Sequence, residues 1–110
     1  MYYMTGTGNT KRAAQLIQLQ LNFMGHQCNI FDWLNEEFKG WNHADAHGFA
    51  FPVHSFREPS PFKNRLKNLP SCDPPLPCFI IPCCDGAEGN SFYRVGKILR
   101  KKGVNVVSIY

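Results

Sequence analysis

Short apolar runs alternate with stretches of helical period along all 110 residues, and that alternation restricts the fold more than any other feature. The runs are "MYYM" (1–4), "CNIF" (28–31), "HGFAFPV" (47–53), "PCFIIPCC" (77–84) and "VNVVSIY" (104–110). Between the first two, Ala14, Ile17, Leu21 and Met24 recur at helical spacing, flanked by Ala13 and Leu16, and Gly25 follows as a stop. Ser60 and Pro61 open a second helix with Phe62, Leu66 and Leu69 as its inner stripe. Asn90 or Ser91 caps a third, with Phe92, Val95 and Leu99 inward and Gly103 at its end. Residues 33–42 are ambiguous, with one or two helical turns around "LNEEF". The order is βαβ(α)βαβαβ. Strands separated by helices predict a parallel sheet covered on both faces, and near-continuous apolar strands agree, since parallel strands are buried on both sides. The expectation is one three-layer α/β domain over residues 1–110, with five parallel strands.

Composition excludes several classes. No apolar run reaches the ~18 residues of a membrane helix, and no signal-peptide pattern precedes Lys11 and Arg12, so a cytoplasmic, non-membrane protein is expected. Five cysteines, an odd number without a CxxC, argue against a disulfide framework or a metal site and favour reduced thiols in the core. The net charge is +4. Lys63, Arg65 and Lys67 fit the wet face of the second helix, and Arg100, Lys101 and Lys102 complement the C-terminal dipole of the third. No nucleic-acid motif accompanies this charge, so nucleic acid is not an expected partner. His43 and His47 are spaced i, i+4 but straddle a loop and a strand, which argues against a metal pair.

The stretch "TGTGNT", Thr5, Gly6, Thr7, Gly8, Asn9 and Thr10, joins the first strand directly to the first helix. Unpaired N–H groups at a helix N-terminus favour an anion, glycines let the backbone curl inward, and hydroxyls add donors. A monophosphate ester fits such a loop, though a turn of this composition also occurs as geometry alone. The dinucleotide fingerprint lacks its third glycine, where Lys11 stands, and a Walker loop lacks its Gly-Lys-Ser/Thr end.

The loop closely resembles the phosphate-binding loop of the flavodoxins, FMN-dependent electron carriers found alone or fused to ferredoxins. "HGFAFPVHSFREPSPFKNRL" is similar to their strand 3, second flavin loop and helix 3. "PCCDGAEGNSFYRVGKILRKKGVNVV" is similar to the region from strand 4 to strand 5. The resemblance implies a strand order of 2-1-3-4-5, with a ligand crevice where that order reverses between strands 1 and 3. It implies FMN as cofactor, with its phosphate on residues 5–10. Its ring would lie between Pro52, Val53, His54, Ser55 and Phe56 on one side and Cys84, Asp85, Gly86, Gly89 and Asn90 on the other. His54, Phe56, Phe92 and Tyr93 are candidate aromatic walls, and Trp41 a weaker one. Gly86 suits a peptide flip near the flavin.

Three departures carry expectations of their own. Flavodoxins of the family's usual kind are acidic and this chain is basic, which points to an acidic redox partner protein, a ferredoxin-type carrier among the candidates. No Trp stands in the second loop. The family's final helix does not follow Tyr110, so the face over strands 4 and 5 is expected to be covered by a second copy, another subunit or a swapped segment. The resulting expectation is an electron carrier. A small FMN-dependent reductase and a flavin-free interaction module of the same fold are the alternatives.

Overall fold

In a computed structural model the described residues form eight elements: β1 (Tyr2–Tyr3), α1 (Asn9–Phe23), β2 (Phe31–Asp32), β3 (His47–Pro52), α2 (Ser60–Lys67), β4 (Pro77–Cys83), α3 (Ser91–Lys101) and β5 (Asn105–Ile109). The described residues are 1–5, 8–38, 40–41, 44–53, 58–72, 75–83 and 91–109, without the side chains of 91, 92, 108 and 109. The five strands make one parallel sheet of order β2-β1-β3-β4-β5.

Alternation along the strands sorts side chains to two faces. Tyr2, Phe49, Phe51, Cys78 and Ile80 point to one face and are buried under Phe62 and Leu66 of α2, Val95 and Leu99 of α3, and Trp33 and Trp41. Tyr3, Ala50 and Ile81 point to the other and pack against Ala14 of α1. Ala14 and Ala50 are both fully buried, so two small side chains let α1 sit close to the middle of the sheet. Phe79 lies on this same face with its ring over Gly48, where a Cβ would overlap it.

The helical periods place their inner stripes well: Phe62, Leu66, Leu69, Val95 and Leu99 are all buried. Two expectations are corrected in the first half. Met24 is exposed, not inward, and Leu16, Leu19 and Phe23 form a second, exposed apolar stripe on the outside of α1. "LNEEF" is not helical. Asp32 accepts from the backbone N–H of Leu34 through Oδ1 and, through its carbonyl, from Asn35 and Glu36, closing a tight turn. A short acidic side chain that bonds its own backbone competes with a helix in this way. Arg65 is also not on the wet face. It donates to the carbonyls of Leu34 and Glu36, both at 3.3 Å, and lies over the Trp33 ring, fastening this turn to α2.

Of the described cysteines, Cys72 and Cys78 are buried, and Cys28 and Cys83 are half-buried. Burial pushes the Cys78 thiol up to about 12. Cys84 lies outside the described residues. On the α1 side, Phe79 and Cys83 remain half-buried and Val107 is exposed. The described residues of the segments 33–46 and 70–77 contribute Trp33, Trp41, Cys72 and Leu76 to the opposite face.

Candidate functional site

Hydrogen bonds hold the carboxyl ends of the strands level. Met4 N–H donates to the Ala50 carbonyl at 3.0 Å, Val53 N–H to that of Cys83 at 2.9 Å, and Trp33 N–H to that of Tyr3 at 2.9 Å. Pro52 is paired with Cys83 in register. The segments that leave β1, β3 and β4 therefore depart from one edge, and the sheet order reverses between β1 and β3 there. Such a reversal opens a crevice at the carboxyl edge of an α/β sheet.

The described part of the first loop has the features of an anion cradle. Gly8 takes φ 93°, a left-handed conformation that favours glycine, and stands at the N-cap of α1 without a side-chain cap. Thr5 Oγ1 accepts the Gly8 N–H at 2.8 Å, so its own hydroxyl proton remains available to a ligand. No acidic residue occupies the first turn of α1, and Lys11 and Arg12 are exposed beside it. Thr10 is 1% exposed, and its hydroxyl has no partner among the described residues. A buried hydroxyl without a bond costs about 1–3 kcal/mol. An acceptor placed against this helix end would satisfy it, and a phosphate meets both the hydroxyl and the first-turn N–H groups.

Of the other expected contacts, Pro52 and Val53 are half-buried at the end of β3. Gly6, Thr7, His54, Ser55, Phe56, Cys84, Asp85, Gly86, Gly89 and Asn90 lie outside the described residues, as does the Phe92 side chain. Tyr93 is exposed in the first turn of α3. Trp41 is excluded as a wall for this crevice. Its indole N–H donates to the Pro70 carbonyl at 3.1 Å, and its ring packs edge-on against His47, the first residue of β3, at the amino edge of the sheet. Among the described residues no group of His, Cys, Asp or Glu is arranged to hold a metal ion.

One feature of this edge has no sequence signature. The Glu58 carboxylate, two residues before α2, accepts from Arg94 Nε at 3.2 and 3.1 Å and from Nη2 at 2.9 Å. The two residues are 36 positions apart, so no local spacing announces the pair. Burial alone would raise the Glu58 carboxyl, but the Arg94 bonds and charge, with a smaller contribution from Lys63, hold it below its ordinary value.

A solved archaeal flavodoxin superposes with a TM-score of 0.75 over 99% of this chain and 82% of its own, at 12% identity. The fold is flavodoxin-like. A Fusobacterium nucleatum flavodoxin bound to flavin mononucleotide superposes at 0.77 with 18% identity, over 96% of this chain and 66% of that one. A flavone reductase superposes at 0.70 with 11% identity, over 99% and 52%. This flavodoxin-like chain thus spans about two thirds of the fusobacterial protein and half of the reductase. No protein-family model and no curated sequence matches it. Among the described residues no helix is long and apolar enough to cross a membrane.

Proposed function

We propose that the protein binds FMN non-covalently at the carboxyl edge of its sheet and works as an electron carrier. The observation that carries this reading is the unpartnered, buried Thr10 hydroxyl at the uncapped N-terminus of α1. A fold whose neighbour is a flavodoxin bound to flavin mononucleotide supports it. In this reading Thr5, Gly6, Thr7, Gly8, Asn9 and Thr10 hold the phosphate, while 52–56 and 84–90 flank the ring. The flavin supplies the redox chemistry. The chain binds it, orients it and shields part of it from water.

Titration of the flavin-free protein with FMN, followed by flavin fluorescence, is expected to show saturable binding. Thr10→Val removes a donor to a charged group while keeping the shape, and is expected to weaken binding roughly 10- to 100-fold, the equivalent of about 1.5–3 kcal/mol. Adding Thr7→Val is expected to weaken it further. An affinity unchanged in Thr10→Val would remove the phosphate assignment, and no binding by the parent chain would favour a flavin-free module. The flavone reductase neighbour favours one alternative, a small reductase. Flavin-dependent oxidation of NAD(P)H without a partner protein would support it.

The surface suggests how partners engage. An acidic redox protein suits the +4 chain. The exposed Leu16, Leu19 and Phe23 of α1, with Val107 on β5, supply apolar area for a second copy or another subunit. Sedimentation is expected to show self-association at high micromolar concentration, weakened by Leu19→Glu. A monomer throughout that range would leave only the partner subunit.

A further inference from the structure

Helix α1 carries apolar residues on two opposite sides. Ala14 and Ile17 pack against the sheet. Leu16, Leu19 and Phe23 lie within an arc of about 60° on the far side, at 100° of rotation per residue. Phe23 is 88% exposed, and Leu16 and Leu19 are each more than half exposed. With Arg12, also exposed, they follow one another at steps of four, three and four residues, the spacing of a seam between paired helices. Single exposed leucines are ordinary, but a contiguous stripe of this kind marks an interaction surface.

The charge around the stripe selects its partner. The chain carries +4 overall, so its charged faces repel a second copy. Residues 13–25 contain no charged side chain, and Gln15, Gln20 and Met24, which flank the stripe, are exposed. An acidic partner finds no cation along this stretch, whereas a second copy meets no like charge there. The ends fix the orientation. Lys11 and Arg12 stand in the first turn of α1, and its last turn holds no basic residue, unlike those of α2 and α3. Two copies laid parallel would bring these four cations together. Laid antiparallel, Lys11 and Arg12 of each copy come beside the carbonyl end of the other helix, where a cation is favourable.

We infer that Leu16, Leu19 and Phe23 form a self-complementary docking surface for a second copy of this chain, α1 against α1, antiparallel about a two-fold axis beside Leu19. Leu16 of one copy then meets Phe23 of the other, at both ends of the seam. With Gln15, Gln20 and Met24 at the rim, such a pair covers roughly 1,000–1,200 Å² in total, the low end for a specific interface, so the dimer is weak and reversible. This rests on the apolar stripe noted above and narrows its occupant to one. It does not depend on FMN, since none of these residues belongs to the assigned phosphate or ring contacts.

Sedimentation equilibrium of the 110-residue chain tests it, with Leu16→Glu, Phe23→Lys and the double variant. All these side chains are exposed, so circular dichroism is expected to show the parent fold in every variant. The parent is expected to dimerise in the high micromolar range, and each single change to weaken the dimer about tenfold or more, because it sets a charge against an apolar side chain. In the double variant a carboxylate at position 16 of one copy faces an ammonium at position 23 of the other. It is expected to dimerise roughly fivefold more tightly than either single variant and to lose that advantage at about 1 M salt. A parent that stays monomeric up to about 1 mM, or a dimer that neither single change weakens, would overturn the inference. A double variant no tighter than the singles would leave the stripe as a contact but overturn the antiparallel second copy, since parallel helices would set like charges face to face. Loss of FMN binding by the parent changes none of these outcomes and bears on the flavin reading alone.

Discussion

Gly103→Ala is expected to lose about 2–4 kcal/mol of stability, more than its size suggests. Two costs combine there. Gly103 has φ 79°, a left-handed conformation that costs a residue with a Cβ about 1–2 kcal/mol. That Cβ would also overlap the Cys72 carbonyl oxygen, and backbone cannot swing aside as a side chain can. The Cys72 N–H is itself bonded to the Lys102 carbonyl at 2.6 Å, and the Lys102 and Gly103 N–H groups bond back to Leu99 and Arg100. The α3–β5 turn and the segment before β4 are thus locked together at one point. Gly25→Ala is the control. Gly25 also has positive φ, 93°, but a Cβ there meets nothing within 4 Å, so only the dihedral cost of about 1 kcal/mol is expected. Urea unfolding of the two variants checks the difference, and equal losses would show that the Cys72 contact relaxes freely.

Acid is expected to weaken the protein well before its carboxylates are protonated. His47 is buried against Tyr2, Phe38 and Trp41. Burial, reinforced by the positive Met1 amino group and opposed by a bond to the Trp41 backbone, pushes its pKa down to about 4. Above pH ~6.5, the ordinary histidine value, neither folded nor unfolded chain holds the proton and the stability is fully present. As pH falls from ~6.5 towards 4 the unfolded chain takes up the proton and the folded one does not, so stability drops. The full difference amounts to about 3 kcal/mol. Glu58 adds a loss of the same sign in a lower window, below the ordinary carboxylate range. His47→Phe keeps a ring in the cluster and is expected to flatten the curve between pH 6.5 and 4.5. Urea midpoints at several pH values test this, and a wild-type curve already flat in that window would show that the site admits the proton.

The architecture was legible because each strand had to be apolar on both sides and each helix on one. Phe49–Ala50–Phe51 reads as a doubly buried strand for the same reason that it is one. Boundaries were less legible where side chains compete with the sheet. The run read as a strand at 28–31 pairs only from Phe31, because Cys28 is claimed by α1: Asn22 Oδ1 accepts its N–H and Gln18 donates to its carbonyl. Period alone could not choose between the two apolar stripes of α1, since only contact with Ala50 decides which is inside. Trp41, by contrast, could have been placed from topology. A segment leading into a parallel strand must return to that strand's amino end, six residues before His47. At the candidate site, the loop before α1 stands out in the sequence through its glycines and hydroxyls. Glu58 and Arg94 announced nothing, because their meeting depends on α2 and α3 lying side by side.

The sheet has two outer strands, and each ends pairing in its own way. β2 offers only Phe31 and Asp32, too short a template for another chain to extend. β5 is longer, but its register slips between Cys78 and Phe79: Val106 pairs with Cys78 and Ser108 with Phe79, so Val107 has no counterpart on β4. An extra residue of this kind twists an outer strand and spoils its fit to a flat incoming one. The irregularity at Val107 thus works against fibril growth on the strand whose sequence, "NVVSI", carries the most β-branched residues. A chain shortened by that one residue would present a straighter ladder, and its hazard would be strand-on-strand polymerisation in concentrated solution, with the carboxyl edge between β1 and β3 left unchanged.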